Sequence, residues 1–367
     1  SSTQKQVTSP VRRTGVARRW RRWFAAMPLL LLACLGLILL SAIIGVGSVT
    51  LTPSQIWLAL TDPEAASRLE IIATNARLSR ATMALGVGIA LGMAGALLQA
   101  RYRNPLASPS ITGVTQGAVA ATVAWQVFGP AVDPSQVTWV LPAVASAGAL
   151  FAALSTWFFT RLGGKVDPIR LILIGVLVGG VLSSITTVAL LFAGEQTQSL
   201  VGWLSGSLAA ATWERVGLLA GGYLISLPLL AMAIPRAKLL QLGDDATAGL
   251  GQSVAPARAV VLFCACLLTA VAVCTVGGVA FVGLIAPHLL RWLVGSDLRR
   301  LVPAAGLAGG ARVLIADFVS RNLLPSRIVE LLNLPLTAYA GNTLPVGVYL
   351  ALLGGPFFLI VLRRTRG

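Results

Sequence analysis

The chain has 367 residues, of which 56% are apolar and only 11% charged, and its mean hydropathy is +0.84. Soluble domains carry roughly a quarter of their residues as charges, so this composition excludes an ordinary soluble fold. The formal charge of +16 does not mark a nucleic-acid binder either, because Lys and Arg punctuate apolar runs instead of gathering with aromatics on one face.

Arg18, Arg19, Arg21 and Arg22 precede an apolar run from Met27 to Val46. Arg21-Arg22-Trp23-Phe24 superficially resembles a twin-arginine export signal, but the run is too long for a signal core and no small-residue cleavage site closes it. It reads as a first membrane helix behind a basic tail over residues 1–26. Further apolar runs predict helices at Thr82 to Gln99, Ile111 to Phe128, Val140 to Thr160, Leu171 to Ala193, Val216 to Ile234 and Ala259 to Val276. Val279 to Leu290, Leu301 to Val319 and Leu344 to Leu362 complete a membrane domain over 27–362, with a tail at 363–367. A helix needs about 20 apolar residues to cross the hydrocarbon layer. The Val279 to Leu290 run is too short and reads as a half-helix packed within protein, where broken backbone is tolerated at membrane depth. The fold class is therefore all-α, a polytopic membrane protein of about ten helices.

The basic residues set orientation. With ten membrane segments, the N-terminal tail, Arg101 with Arg103, the loop with Arg161, Lys165 and Arg170, the loop from Arg236 and Lys238 to Arg258, Arg291 with Arg299 and Arg300, and the tail from Arg363 can all lie on one side. That side is expected to be the cytoplasm, with both termini there. The alternate loops, around Asp62 to Glu70, Asp133 and Glu195 to Glu214, carry fewer positive charges. Along the second predicted helix Ala84, Gly88, Gly92 and Ala96 recur every fourth residue, which puts small side chains on one face for close helix approach.

No catalytic constellation is visible. His288, the single histidine, has no evident acid or nucleophile partner. Gly163-Gly164-Lys165 lacks the glycine spacing and the Ser or Thr of a phosphate-binding loop, and Gly86, Gly88 and Gly92 follow no strand that would make them a dinucleotide fingerprint. Cys34, Cys264, Cys266 and Cys274 all lie in apolar segments and read as buried small hydrophobes, so no disulfide or metal site is assigned. An ion-driven secondary transporter would place acids at mid-membrane as relays. Only Asp317, near a helix end, approaches that description. An intramembrane enzyme would need a clustered catalytic set, which is absent from the sequence.

Three stretches are more specific. The first is Arg77-Leu78-Ser79-Arg80 with Gln99, then Arg103-Asn104-Pro105-Leu106-Ala107-Ser108-Pro109 and Gly113 to Ala118. The second joins Leu242-Gly243-Asp244-Asp245-Ala246, Gly249 and Gly251 to Gly283 through Arg291, which contains Pro287 and His288. The third is Ala316 to Arg321 with Leu344-Pro345-Val346-Gly347 and Gly354-Gly355-Pro356-Phe357-Phe358. Together these resemble the FecCD family of permeases of ABC importers for iron-siderophores, haem and cobalamin, from about the first helix to the C-terminus.

The resemblance implies type II ABC importer permease architecture in the bacterial inner membrane. It implies partners: a second permease, identical or homologous, two nucleotide-binding ATPase subunits that hold ATP and Mg, and an extracytoplasmic binding protein. The chain itself would be no enzyme, would carry no cofactor, and would contact lipid but no nucleic acid. Its cargo would be an iron chelate, siderophore or haem, with cobalamin as the alternative. Leu242, Gly243, Asp244, Asp245, Gly249 and Gly251 would form the ATPase coupling loop, within about 236–257. Arg77, Arg80 and Arg321 would lie on the opposite loop face and receive acidic residues of the binding protein, a task suited to the planar guanidinium fork. Asn104, Pro105, Leu106, Pro287, His288, Pro345, Gly347 and Pro356 match signature positions of structural character. The sequence departs from the family at Thr343, where Glu is usual, and in the longer segment from Asn322 to Asn342.

Overall fold

The computed structural model describes residues 14–43, 52–62, 64–131, 133–162, 168–322 and 345–365. Among them it is entirely helical. In chain order the helices are α1 Thr14–Ile43, α2 Pro53–Thr61, α3 Arg68–Tyr102, α4 Val114–Phe128, α5 Pro134–Leu162 and α6 Pro168–Leu191. A 3-10 turn at Gly194–Gln196 leads into α7 Thr197–Leu204. There follow α8 Trp213–Leu240, α9 Asp244–Gly249, α10 Val254–Val276, α11 Val282–Val294, α12 Leu298–Asn322 and α13 Val346–Thr365.

Six of these (α3, α5, α6, α8, α10 and α12) are long and apolar enough to cross a membrane, and shorter apolar stretches lie in α1, α11 and α13. Each of the ten predicted segments contains a helix among the described residues, and the structure adds three short helices, α2, α7 and α9. Two boundaries differ substantially. The first helix begins at Thr14, inside the predicted tail, and α3 begins at Arg68, not at Thr82. The cause at α3 is local: Ser67 caps the helix and accepts from the Glu70 amide, while Glu70 returns the bond to the Ser67 N–H at 2.9 Å. Hydropathy does not register such a polar helical start. Thr52 and Gln55 make the same reciprocal cap on α2, and Gln55 Nε2 donates to Glu70 Oε1 at 2.8 Å, which fastens the two starts together.

Helix α3 is the central pillar, packed by α1, α2, α8, α10, α11 and α12. Its small residues make this possible. A Cβ at Gly88 would run into the Gly309 carbonyl, one at Gly92 into the Ala305 carbonyl, and one at Gly95 into the Gly283 backbone. The expected stripe thus meets α12 backbone to backbone through Gly88 and Gly92, and Gly95 adds the same contact with α11. The short run is a half-helix as expected: α11 starts at Val282, after non-helical backbone in which Gly277 and Phe281 have φ of 81° and 64°. This break is enclosed by protein, since the Gly277 α-carbon faces the Trp203 carbonyl and the Gly347 amide donates to Gly206 O at 3.1 Å. Outward-facing residues of α6, such as Leu173, Leu177, Val181 and Val188, are exposed and apolar, a surface suited to lipid or another hydrophobic chain.

Candidate functional site

One polar cluster sits where the N-terminal third of α3 meets the C-terminal end of α12. Arg80 Nε donates to Asp317 Oδ1 at 2.8 Å, and its Nη2 lies 2.8 Å from the same oxygen. Arg321 Nη2 stands 3.0 Å from Asp317 Oδ2, an ion pair without hydrogen-bond alignment, and donates to Ser41 Oγ of α1. Asp317 is 1% exposed. Arg77 is buried beside them, near enough to act on the charge of Arg321. The three arginines expected on a loop face are therefore brought together, but on helices and largely enclosed. Arg80 and Arg321 share one carboxylate, so the pair keeps net positive charge.

The second cluster lies at the other end of α3. From Arg80 to Arg103 the helical rise amounts to roughly 35 Å, slightly more than the hydrocarbon thickness of a bilayer. Helix α3 ends there because Arg103 turns left-handed, with φ of 50°. Asn104 Oδ1 then accepts from the Leu106 amide at 2.9 Å, a side-chain turn before the chain re-enters at α4. The Arg103 guanidinium lies over Gly243, whose φ of 106° opens α9. Thr247, fully buried, pins this turn by donating from Oγ1 to Gly243 O at 2.6 Å and to Leu239 O at 2.8 Å. Arg258 of α10 holds Asp244 through two contacts of 2.8 Å. The predicted coupling residues are thus gathered in one turn, and the segment expected as a loop contains a short helix. Leu242 and Leu250 are each 62% exposed, and Asp245 and Gly249 are open. An adjacent cleft of about 350 Å³ is lined by Arg236, Leu239, Leu250, Gly251, Gln252 and Pro256. An anchored turn with outward-facing apolar side chains beside a cleft is suited to receive a protein partner.

The remaining signature residues are dispersed. Pro287 is buried in α11, and His288 packs edge-on against Phe357 with ring centres 5.9 Å apart. Pro345 precedes α13, Pro356 lies within it, and the Gly347 backbone belongs to the Gly206 contact described above. Thr343 and residues 323–342 lie outside the described residues. Among the described residues no three His, Cys, Asp or Glu side chains are grouped to hold a metal.

Sequence reading missed Asp317 as the shared counter-ion, Arg258 as the anchor of Asp244, and Arg312 within α12. The i,i+4 spacing of Asp317 and Arg321 was an available signal. The partnership with Arg80, 237 residues away, was not.

A family model for the FecCD transport family matches residues 29–364. The chain belongs to the FecCD transport family. It is a multi-pass membrane permease subunit. The Fe(3+)-citrate import system permease YfmE of Bacillus subtilis (strain 168) is 33% identical over 339 residues, covering 92% of this chain and 95% of the relative. The achromobactin transport permease CbrC of Dickeya dadantii (strain 3937) is 37% identical, with 89% and 88% covered. The ferric enterobactin permease FepG of Escherichia coli (strain K12) is 33% identical, with 91% and 96% covered. Among solved structures, a chain of an inward-facing ABC transporter of metal-chelate type superposes with a TM-score of 0.70 at 26% identity, covering 94% of this chain and 99% of that one. This FecCD permease therefore has the ABC importer fold that its motifs implied.

Proposed function

We propose that this FecCD chain is the membrane permease of an ATP-driven importer that moves an iron chelate across the bacterial cytoplasmic membrane, with a cobalamin-type cargo as the alternative. The observation that carries the reading is the pair of polar clusters at opposite ends of α3, roughly a membrane thickness apart. The α9 turn is the ATPase contact: Leu242 and Leu250 supply apolar surface, and Arg258 and Thr247 hold the turn rigid enough to transmit a push. ATP and Mg belong to the two ATPase partners, and a second permease, identical or homologous, completes the pathway. Both termini and the α9 turn face the cytoplasm in this reading.

The Arg77, Arg80 and Arg321 end receives the binding protein. Asp317 holds Arg80 and Arg321 in place, and their excess positive charge draws carboxylates of the incoming partner. The cargo assignment is supported by relatives named for Fe(3+)-citrate, achromobactin and ferric enterobactin. A cobalamin import permease of Halobacterium salinarum (strain ATCC 700922 / JCM 11081 / NRC-1), 32% identical, supports the alternative.

The test is binding-protein affinity and ATP-driven uptake by the complex in vesicles. Charge reversal by Arg77→Glu with Arg80→Glu should weaken association by 30-fold or more, since loss of one partner of a desolvated pair costs roughly 2–5 kcal/mol. Reversal of acids on the binding protein should restore much of it. Unchanged affinity at low salt would remove these arginines from the docking surface.

A further inference from the structure

Arg312 lies within the membrane-spanning part of α12, about 14 Å by helical rise from Arg321 and about 18 Å from Arg300. That is hydrocarbon depth, where ionisable side chains face a cavity or partner and mark substrate paths. Among the described residues Arg312 has no carboxylate partner. Its one hydrogen bond, from Nη1 to the Phe281 carbonyl, is long at 3.5 Å, so most of the five guanidinium N–H groups remain to be satisfied. The acceptor itself belongs to the broken backbone between α10 and α11, where Phe281 is left-handed. Broken backbone at this depth is tolerated where it is packed in protein or lines a water-filled cavity.

A second side chain points to the same place. Tyr349 of α13 is 8% exposed, and among the described residues its hydroxyl has no hydrogen-bond partner. Tyr349 and Arg312 line one cleft of about 290 Å³ between α1, α11, α12 and α13, whose other walls, including Leu30, Ile285, Leu289 and Leu353, are apolar. Arg312, partly exposed and bonded only to the Phe281 carbonyl, and the buried Tyr349 hydroxyl together bring unused N–H and O–H donors to apolar walls, a setting suited to an acceptor that carries negative charge.

We propose that Arg312 and Tyr349 form an intramembrane binding point for an oxyanion of the cargo, such as a carboxylate or catecholate arm of an iron chelate. The proposal rests on the importer reading above and narrows it, since a neutral chelate would gain less from this pair than one with a charged oxygen. The cleft sits at the lower end of the roughly 300–1,000 Å³ typical of ligand pockets. It therefore takes one acidic arm and not a whole chelate.

The test uses the assembled importer in phosphatidylcholine nanodiscs, with the four cysteines replaced and Ile315→Cys placed in the same cleft. Thiol reaction rates are compared for two methanethiosulfonates, one bearing a sulfonate and one a trimethylammonium group. The sulfonate reagent should be favoured tenfold or more over its ratio on a free thiol. That preference should survive Arg312→Lys and vanish in Arg312→Gln, and citrate should slow the reaction, less effectively in Tyr349→Phe. No reaction with either reagent, or a ratio indifferent to Arg312→Gln, would overturn the proposal. Protection by added phosphatidylglycerol but not by citrate would also overturn it, by assigning the cation to a lipid headgroup. ATP-driven uptake on the same preparation tests the importer reading separately.

Discussion

At the scale of the residue, the most consequential side chain is Asp317, which pairs with two arginines from two helices inside the protein. Breaking a buried pair by removing one member costs about 3–5 kcal/mol, because the charge left behind is uncompensated. Asp317→Asn is therefore expected to lower stability by that amount, measured by denaturant unfolding in detergent. Adding Arg80→Met and Arg321→Met to the same chain should recover part of the loss, since no stranded cation then remains. The three arginines and the residues of the α9 turn stood out in the sequence because they lie in compact motifs. The Asp317 bond to Arg80, and the places of Arg312 and Tyr349, did not, since their significance lies in who stands opposite them, and partnership across hundreds of residues leaves no local pattern.

At the scale of the element, the same glycine residue type serves two opposite ends. Gly88 touches α12 backbone directly, while Gly249 has open space around its α-carbon. Gly88→Leu should prevent correct helix packing, because overpacking where backbones already touch offers no side chain that can move aside. It should be read as loss of monodisperse protein in detergent. Gly249→Leu should leave folding intact and, if α9 is the ATPase contact, separate ATP hydrolysis from uptake in vesicles. The long apolar helices and the small-residue stripe were legible because hydropathy and period-four spacing are averaged over many residues. The short helices α2, α7 and α9 escaped, as did the polar first turns of α3. A helix of six to nine residues offers too few positions for a period to show, and its stability comes from caps and neighbours.

At the scale of the whole molecule, the chain divides into a hydrophobic body and two polar ends, and it holds no phosphate-binding loop. The purified subunit is expected to show no ATP hydrolysis above background in a phosphate-release assay, with activity appearing only when its ATPase partners are added. Cysteines introduced at Asp245 and at Arg68 should react with impermeant reagents from opposite sides of sealed membranes, the first from the cytoplasmic side. The pillar α3 has a further mechanical consequence. It runs 35 residues without a proline, and it meets α11 and α12 by backbone contact near its middle while its two ends carry the two polar clusters. A stiff rod resting on a fulcrum is a lever. A tilt of about 10° about Gly92 would displace each end by roughly 3–6 Å in opposite senses, given a rise of 1.5 Å per residue. Such a stroke is comparable to one helical turn, and it would let a tug on one side of the bilayer be felt as a shove on the other.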